Sequence, residues 1–244
     1  MKDGRIAALT AHVSVGDRIA DIGTDHARLP IRLLHCKRVR HAILTDINEG
    51  PLARARANIL RAYGHARVET GGGETRVHTE DGVCILRLGD GLAPLGPDEA
   101  NVAVIAGMGG EMIVRILDAD PVKTGRVERY VLQPRTKADA LRRFIRARRY
   151  RVTDEDLVAE RGRICEIIVM SPDTRDGDVD ERENDDLPEA GQIRILRAKN
   201  HPLLERFLAE RIERARRVAD EAAKGAGEAA ARRARSAIAR AEAL

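Results

Sequence analysis

The 244 residues carry 43 lysines and arginines against 39 aspartates and glutamates, a formal net charge of +4. No apolar run is long enough to span a bilayer, so a helical membrane protein is not expected. Aromatic residues make up only 2% of the chain and tryptophan is absent, which argues against binding single-stranded nucleic acid by base stacking. Most of the positive charge is arginine, whose planar fork suits phosphate, so a nucleic-acid partner is credible. Cys36, Cys84 and Cys165 are odd in number and lack metal-ligand spacing. They read as buried thiols of a reducing compartment, giving a cytoplasmic location, no signal peptide and no metal site as expectations.

Arg5 to Val13 forms a short helical pattern, with Ile6, Leu9 and Val13 on one face. Val15-Gly16-Asp17 turns the chain into an apolar strand, Ile19-Ala20-Asp21-Ile22, closed by Gly23 and followed by a helix from Leu29 to His35. The first N–H groups of such a helix are ready to hold polar ligand atoms. A second strand, His41 to Thr45, ends in Asp46. That acid falls about twenty residues past the glycine turn, where nucleotide-binding α/β domains grip ribose hydroxyls. An adenosine-bearing ligand is therefore expected across the carboxyl ends of the first two strands.

The loop Gly23-Thr24-Asp25-His26-Ala27 holds one glycine rather than the G-x-G-x-x-G of a dinucleotide site. Its side chains would crowd a pyrophosphate, and Asp25 would repel one. S-adenosylmethionine carries an ammonium and a sulfonium instead of phosphate and suits the loop better. Asp21 and Asp25 are the candidate partners of those charges, with Ile22, Gly23, Thr24 and His26 around them and Asp46 and Ile47 on the ribose side. The competing reading has Asp21 and Asp25 merely capping the helix.

A helix with Leu52, Ala55, Ile59 and Leu60 follows Pro51 and ends near Gly64. Arg67 to Gly82, with Gly71-Gly72-Gly73 in its middle, reads as an irregular, mobile surface insertion. A third strand, Val83 to Leu88, delivers Gly89-Asp90-Gly91, where Asp90 could accept a hydrogen bond from an adenine amino group. A plain turn is the alternative there. A fourth strand, Asn101 to Ala106, runs into Gly107-Met108-Gly109-Gly110 and a helix through Leu117. Ala106 and Gly107 fall on the cofactor side. Met108, Gly109 and Gly110 are candidate contacts of a substrate base, with tight helix-on-strand packing as the competing reason for the glycines.

The fifth strand, Tyr130 to Leu132, continues into Gln133-Pro134-Arg135, and Thr136 is the expected cap of a helix carrying Ala138, Leu141, Phe144 and Ile145 on its apolar face. The opposite face is basic. Arg135, Lys137, Arg142 and Arg146 are its candidate RNA-backbone contacts, with a solvated charged face as the alternative. Asp156–Ala159 and Ile164–Met170 are joined too closely for anything but an antiparallel hairpin. Residues 1–172 are thus expected to form one domain and residues 173–190 an acidic linker. Residues 191–244 are expected to form a helical hairpin or short coiled coil, broken at Gly225-Ala226-Gly227.

This order of motifs resembles the bacterial tRNA (adenine(22)-N(1))-methyltransferase family. The matching strings are Ala20 to Ala27, Leu29-Pro30, Gly50-Pro51, Gly89-Asp90-Gly91-Leu92, Ile105 to Gly110, Leu132-Gln133-Pro134 and Glu166-Ile167. The resemblance implies a Rossmann-like, seven-stranded class I methyltransferase sheet followed by a C-terminal coiled-coil domain. It also implies S-adenosylmethionine as methyl donor and N1 of a D-arm adenine in tRNA as acceptor. Arg28 and Cys165 depart from it, standing where family members often carry tyrosine. Adenine N1 keeps its lone pair at neutral pH, so no catalytic base is assigned, and alignment of the reacting atoms carries the expected rate. Other expectations keep the fold but change the substrate to a small molecule or protein, or make the chain a non-catalytic RNA-binding relative. No feature of the sequence fixes the oligomeric state, and a monomer is compatible with it.

Overall fold

A computed structural model of the chain describes residues 4–172 and 190–225. Its strands are β1 (Ile19–Ile22), β2 (His41–Asp46), β3 (Arg67–Gly71), β4 (Glu74–Thr79), β5 (Gly82–Leu88), β6 (Val102–Gly109), β7 (Arg129–Thr136), β8 (Arg151–Glu160) and β9 (Arg163–Ser171). They form one mixed sheet in the order β3-β4-β5-β2-β1-β6-β7-β9-β8. β5, β2, β1, β6 and β7 run parallel, while β9 and β8 close one edge as an antiparallel hairpin. The order of strand addition reverses at β1, which pairs in parallel with β2 on one side and β6 on the other. The crevice outside the carboxyl ends at that switch point is where such sheets bind ligands.

The sheet has nine strands, not seven, because residues 67–79 are an ordered hairpin rather than an irregular insertion. Val68, Thr70, Thr75, Val77 and Thr79 suit extended backbone. Gly72 and Gly73 sit at φ 62° and 81°, the left-handed pair that a two-residue hairpin turn requires. β4 pairs along the whole of β5, and Val77 is fully buried against the sheet. β3, by contrast, is exposed at all five positions and forms the outer edge.

Alternation along each strand feeds two apolar layers. Ile19, Val102 and Val104 face helices α1 (Gly4–Ala11), α2 (Arg28–His35) and α3 (Glu49–Ala62) through Leu9, Leu33, Leu34 and Ile59. Ala20, Ile22, Ala103 and Ile105 face α4 (Gly110–Ala119) and α6 (Ala138–Ala147) through Ile113, Leu117, Leu141 and Ile145. A short α5 (Pro121–Arg126), unexpected from the sequence, is capped by the Asp120 carboxylate. Thr136 is not the cap of α6. β7 runs on through it, and Lys137, at φ 55°, makes the turn into the helix.

The chain divides into two compact units, Met1–Asp178 and Val179–Leu244. The expected acidic linker lies outside the described residues. So does the second arm of the expected helical hairpin, beyond Gly225. Within the second unit the described elements are α7 (Ala190–Ala198), unforeseen from the sequence, and α8 (Leu204–Gly225). Among the described residues, no helix is long and apolar enough to cross a membrane.

Candidate active site

Strand register brings the candidate residues to one edge of the sheet. Ile22 lies level with Thr45 of β2 and Ile105 of β6, and Asp46 lies level with Leu88 of β5. The Gly23 loop, Asp46-Ile47, Asp90-Gly91 and Ala106-Gly107 therefore emerge side by side from four carboxyl ends. Four separated segments of the chain meet here because the parallel strands all point the same way.

The loop after β1 is pinned through its backbone. Gly23 and Thr24 donate their N–H groups to the Thr45 carbonyl at 2.8 and 2.9 Å. Gly23 takes φ 72°, and a Cβ there would meet the Met108 Cε at 1.9 Å. Glycine is required there by the backbone conformation, and the Met108 methyl fills the space a side chain would take. Ile22 is buried and contributes through its backbone, whereas Ile47 is 58% exposed beside Asp46. The Asp46 carboxylate accepts from the Asn48 N–H at 2.8 Å. Asp90 is exposed, and the Gly91 carbonyl accepts from the Thr45 hydroxyl at 3.4 Å.

Asp21 is the electrostatic centre of this edge. Burial pushes its carboxyl up from 3.8 to about 6, with the Thr24 hydroxyl and the Arg5 guanidinium opposing the rise. The Thr24 hydroxyl is itself buried and makes no hydrogen bond of normal geometry. A partly desolvated carboxyl is a place where a cationic, hydrogen-bonding ligand recovers lost interactions. A phosphate would meet only repulsion from Asp21. A carboxylate-rimmed edge of this kind fits S-adenosylmethionine, which carries positive charge and no phosphate.

Several expected contacts prove to be held by the protein itself. Both Asp25 oxygens are engaged, one by Arg54 at 2.6 and 2.9 Å and the other by His26 Nε2 at 3.1 Å. Asp25 therefore anchors the loop to α3 and is not a free partner for a sulfonium. The Gly110 position is covered by the Lys137 carbonyl, 2.1 Å from where a Cβ would stand, and Gly109 lies against Thr136. At Gly110 the close approach of the turn into α6 excludes a side chain, whereas Gly109 is only tightly packed. Arg142 is the clearest correction. It is buried, bonded to Glu155 at 2.5 and 3.0 Å and to Glu166 at 3.0 Å, and so faces no RNA. Arg135, Lys137 and Arg146 remain exposed on that side.

One network at the site went unforeseen. Gln133, buried at the end of β7, accepts at Oε1 from the Gly107 N–H and from Arg5 Nη1, both at 3.2 Å. It holds the Gly107 turn at φ 83° and ties α1 to the ligand edge. A polar residue closing the apolar run Tyr130-Val131-Leu132 was the signal for it. No group of three or more His, Cys, Asp or Glu among the described residues is placed to hold a metal ion.

Comparison with known proteins agrees with this geometry. A family described as "Methyltransferase domain" matches residues 2–168. The Bacillus subtilis tRNA (adenine(22)-N(1))-methyltransferase is 32% identical over 176 residues, covering 72% of this chain and 67% of that protein. The crystal structure of the Bacillus subtilis m1A22 tRNA methyltransferase TrmK superposes with a TM-score of 0.72 at 25% identity, over 98% of this chain and 94% of that one. A Streptococcus pneumoniae relative solved in complex with S-adenosyl-L-methionine gives a TM-score of 0.75 at 25% identity, over 99% and 98%. With a methyltransferase domain matched over most of its length and a relative of that identity and coverage, the chain belongs to the tRNA (adenine(22)-N(1))-methyltransferase family.

Proposed function

We propose that this protein transfers a methyl group from S-adenosylmethionine to N1 of adenine 22 in the D-arm of tRNA. The observation that carries the reading is the half-buried Asp21 carboxyl next to Thr24, at the switch point of a methyltransferase sheet. Bound there, the donor would supply an electrophilic sulfonium methyl group, which the N1 lone pair attacks as the sulfur–methyl bond breaks and S-adenosylhomocysteine leaves. Asp21 and Thr24 would hold the donor's charged end, Asp46 its ribose and Asp90 its adenine. Asp25 and His26 shape the loop rather than touch the charge, since they are bonded to Arg54 and to each other.

The protein's contribution is alignment and exclusion of water, because N1 needs no deprotonation before it reacts. Met108, half-buried with its methyl packed on Gly23, lies between the donor loop and the β6 turn, where it can back one face of an entering base. The Arg5–Gln133–Gly107 bonds hold that turn in place. A base within folded tRNA must leave its stack to reach this edge. A tRNA substrate supports a cytoplasmic location. The test is incubation with labelled S-adenosylmethionine and unmodified tRNA, followed by nucleoside mass spectrometry. Labelled 1-methyladenosine at a single position is the expected product. Donor binding without any label in tRNA would overturn the reading.

A further inference from the structure

We infer that the groove between α1 and α2 is the seat of the tRNA backbone, an inference that rests on the tRNA reading above. The groove measures about 940 Å³, and Ile6 contributes to an apolar floor beneath His26, Arg28, Arg32, His35 and Arg38. No aspartate or glutamate lines it. Between residues 26 and 67 the chain carries eight arginines and one lysine against Asp46 and Glu49, with Arg54 and Arg67 paired to Asp25 and Glu69 just outside that stretch.

Basic helix α6, the footprint suggested by the sequence, is largely neutralised. Arg142 is buried on two glutamates, Arg143 is paired with Asp139 at 2.9 Å, and Arg148 is paired with Asp118. Arg28 and Arg32, in contrast, are exposed and make no side-chain hydrogen bond or ion pair among the described residues. They stand one helical turn apart, about 6 Å along the axis, and Arg38 follows just past the end of α2. Charges strung in a line, rather than converging on a point, suit successive phosphates of a strand better than one small anion.

The groove also leads to the chemistry. His26, at one end, belongs to the donor loop, and Asn58 Nδ2 holds its carbonyl at 3.2 Å. Arg38 is fixed at the other end by the Val13 carbonyl at 2.5 Å. A strand lying along α2 is thereby delivered to the loop where the methyl group is presented.

The test uses the full-length protein and an unmodified tRNA transcript, with affinity measured between about 50 and 200 mM salt. Arg28→Glu/Arg32→Glu should weaken tRNA binding at least ten-fold at low salt and raise KM for tRNA by more than it lowers kcat. Arg28→Gln/Arg32→Gln should flatten the salt slope by about two, one for each lost phosphate contact. Calorimetry with S-adenosylmethionine and thermal melting confirm that both variants are folded, and Arg126→Glu on α5 serves as a charge control of unchanged affinity. tRNA affinity of both double variants within two-fold of wild type, while wild type still methylates tRNA, overturns the groove and leaves the function standing. So does a groove that binds inorganic triphosphate in an Arg32-dependent way without affecting tRNA. A wild-type protein that neither binds nor methylates tRNA overturns both.

Discussion

Asp21 holds its proton to about pH 6 in the fold, against 3.8 as the ordinary value. Between those values the folded chain binds more protons than the unfolded one, so this group favours folding at low pH and loses that effect as pH rises from about 4 to 6. Donor binding has the opposite dependence, because a cationic ligand needs the ionised carboxylate. S-adenosylmethionine affinity should therefore rise about ten-fold per pH unit below 6 and level off above it. Asp21→Asn should bind the donor weakly and without that pH dependence, which titration calorimetry across pH 5 to 8 reads directly. The place of Asp21, Asp46 and Asp90 was legible in the sequence, since each lies at or within two residues of the carboxyl end of an apolar strand. Asp21's ionisation was not, because it depends on Arg5 and on the depth of burial, neither of which a strand pattern reports. Asp25 was misread for a similar reason, as its partner Arg54 sits on the next helix.

At the scale of elements, α6 shows where periodicity stops being informative. Leu141 and Ile145 mark its apolar face correctly, yet Arg142 is buried beside them. Its partners Glu155 and Glu166 arrive from β8 and β9, thirteen and twenty-four residues later in the chain. Removing the arginine would strand a buried Glu155, a cost of about 3–5 kcal/mol. Arg142→Ala should accordingly lower the melting temperature sharply. Arg142→Met/Glu155→Leu should recover much of the loss, because neither charge is then left unpaired. A variant that melts like wild type and loses only tRNA affinity would contradict this account. The hairpin β3–β4 was missed in the opposite sense. Its Gly71-Gly72-Gly73 run resembles a flexible connector, but two positive-φ glycines between alternating β-branched residues also make a hairpin turn.

Across the whole molecule, the parallel core and its terminal hairpin follow from the order of apolar runs, and right-handed crossovers leave few other arrangements. What the order of runs does not carry is the width of the sheet, which depends on whether one polar stretch pairs with β5. That extra width has a consequence of its own. β3 leaves one row of main-chain donors and acceptors facing water at the end of a nine-strand array, an invitation to a second molecule. Arg67 and Glu69, joined at 2.5 Å, put charge along that rim, and charge is the usual guard against edge-to-edge joining. Arg67→Thr/Glu69→Thr should leave the donor site intact yet make the protein form concentration-dependent assemblies by light scattering. The ion pair on the rim is thus a safeguard of solubility rather than a source of stability.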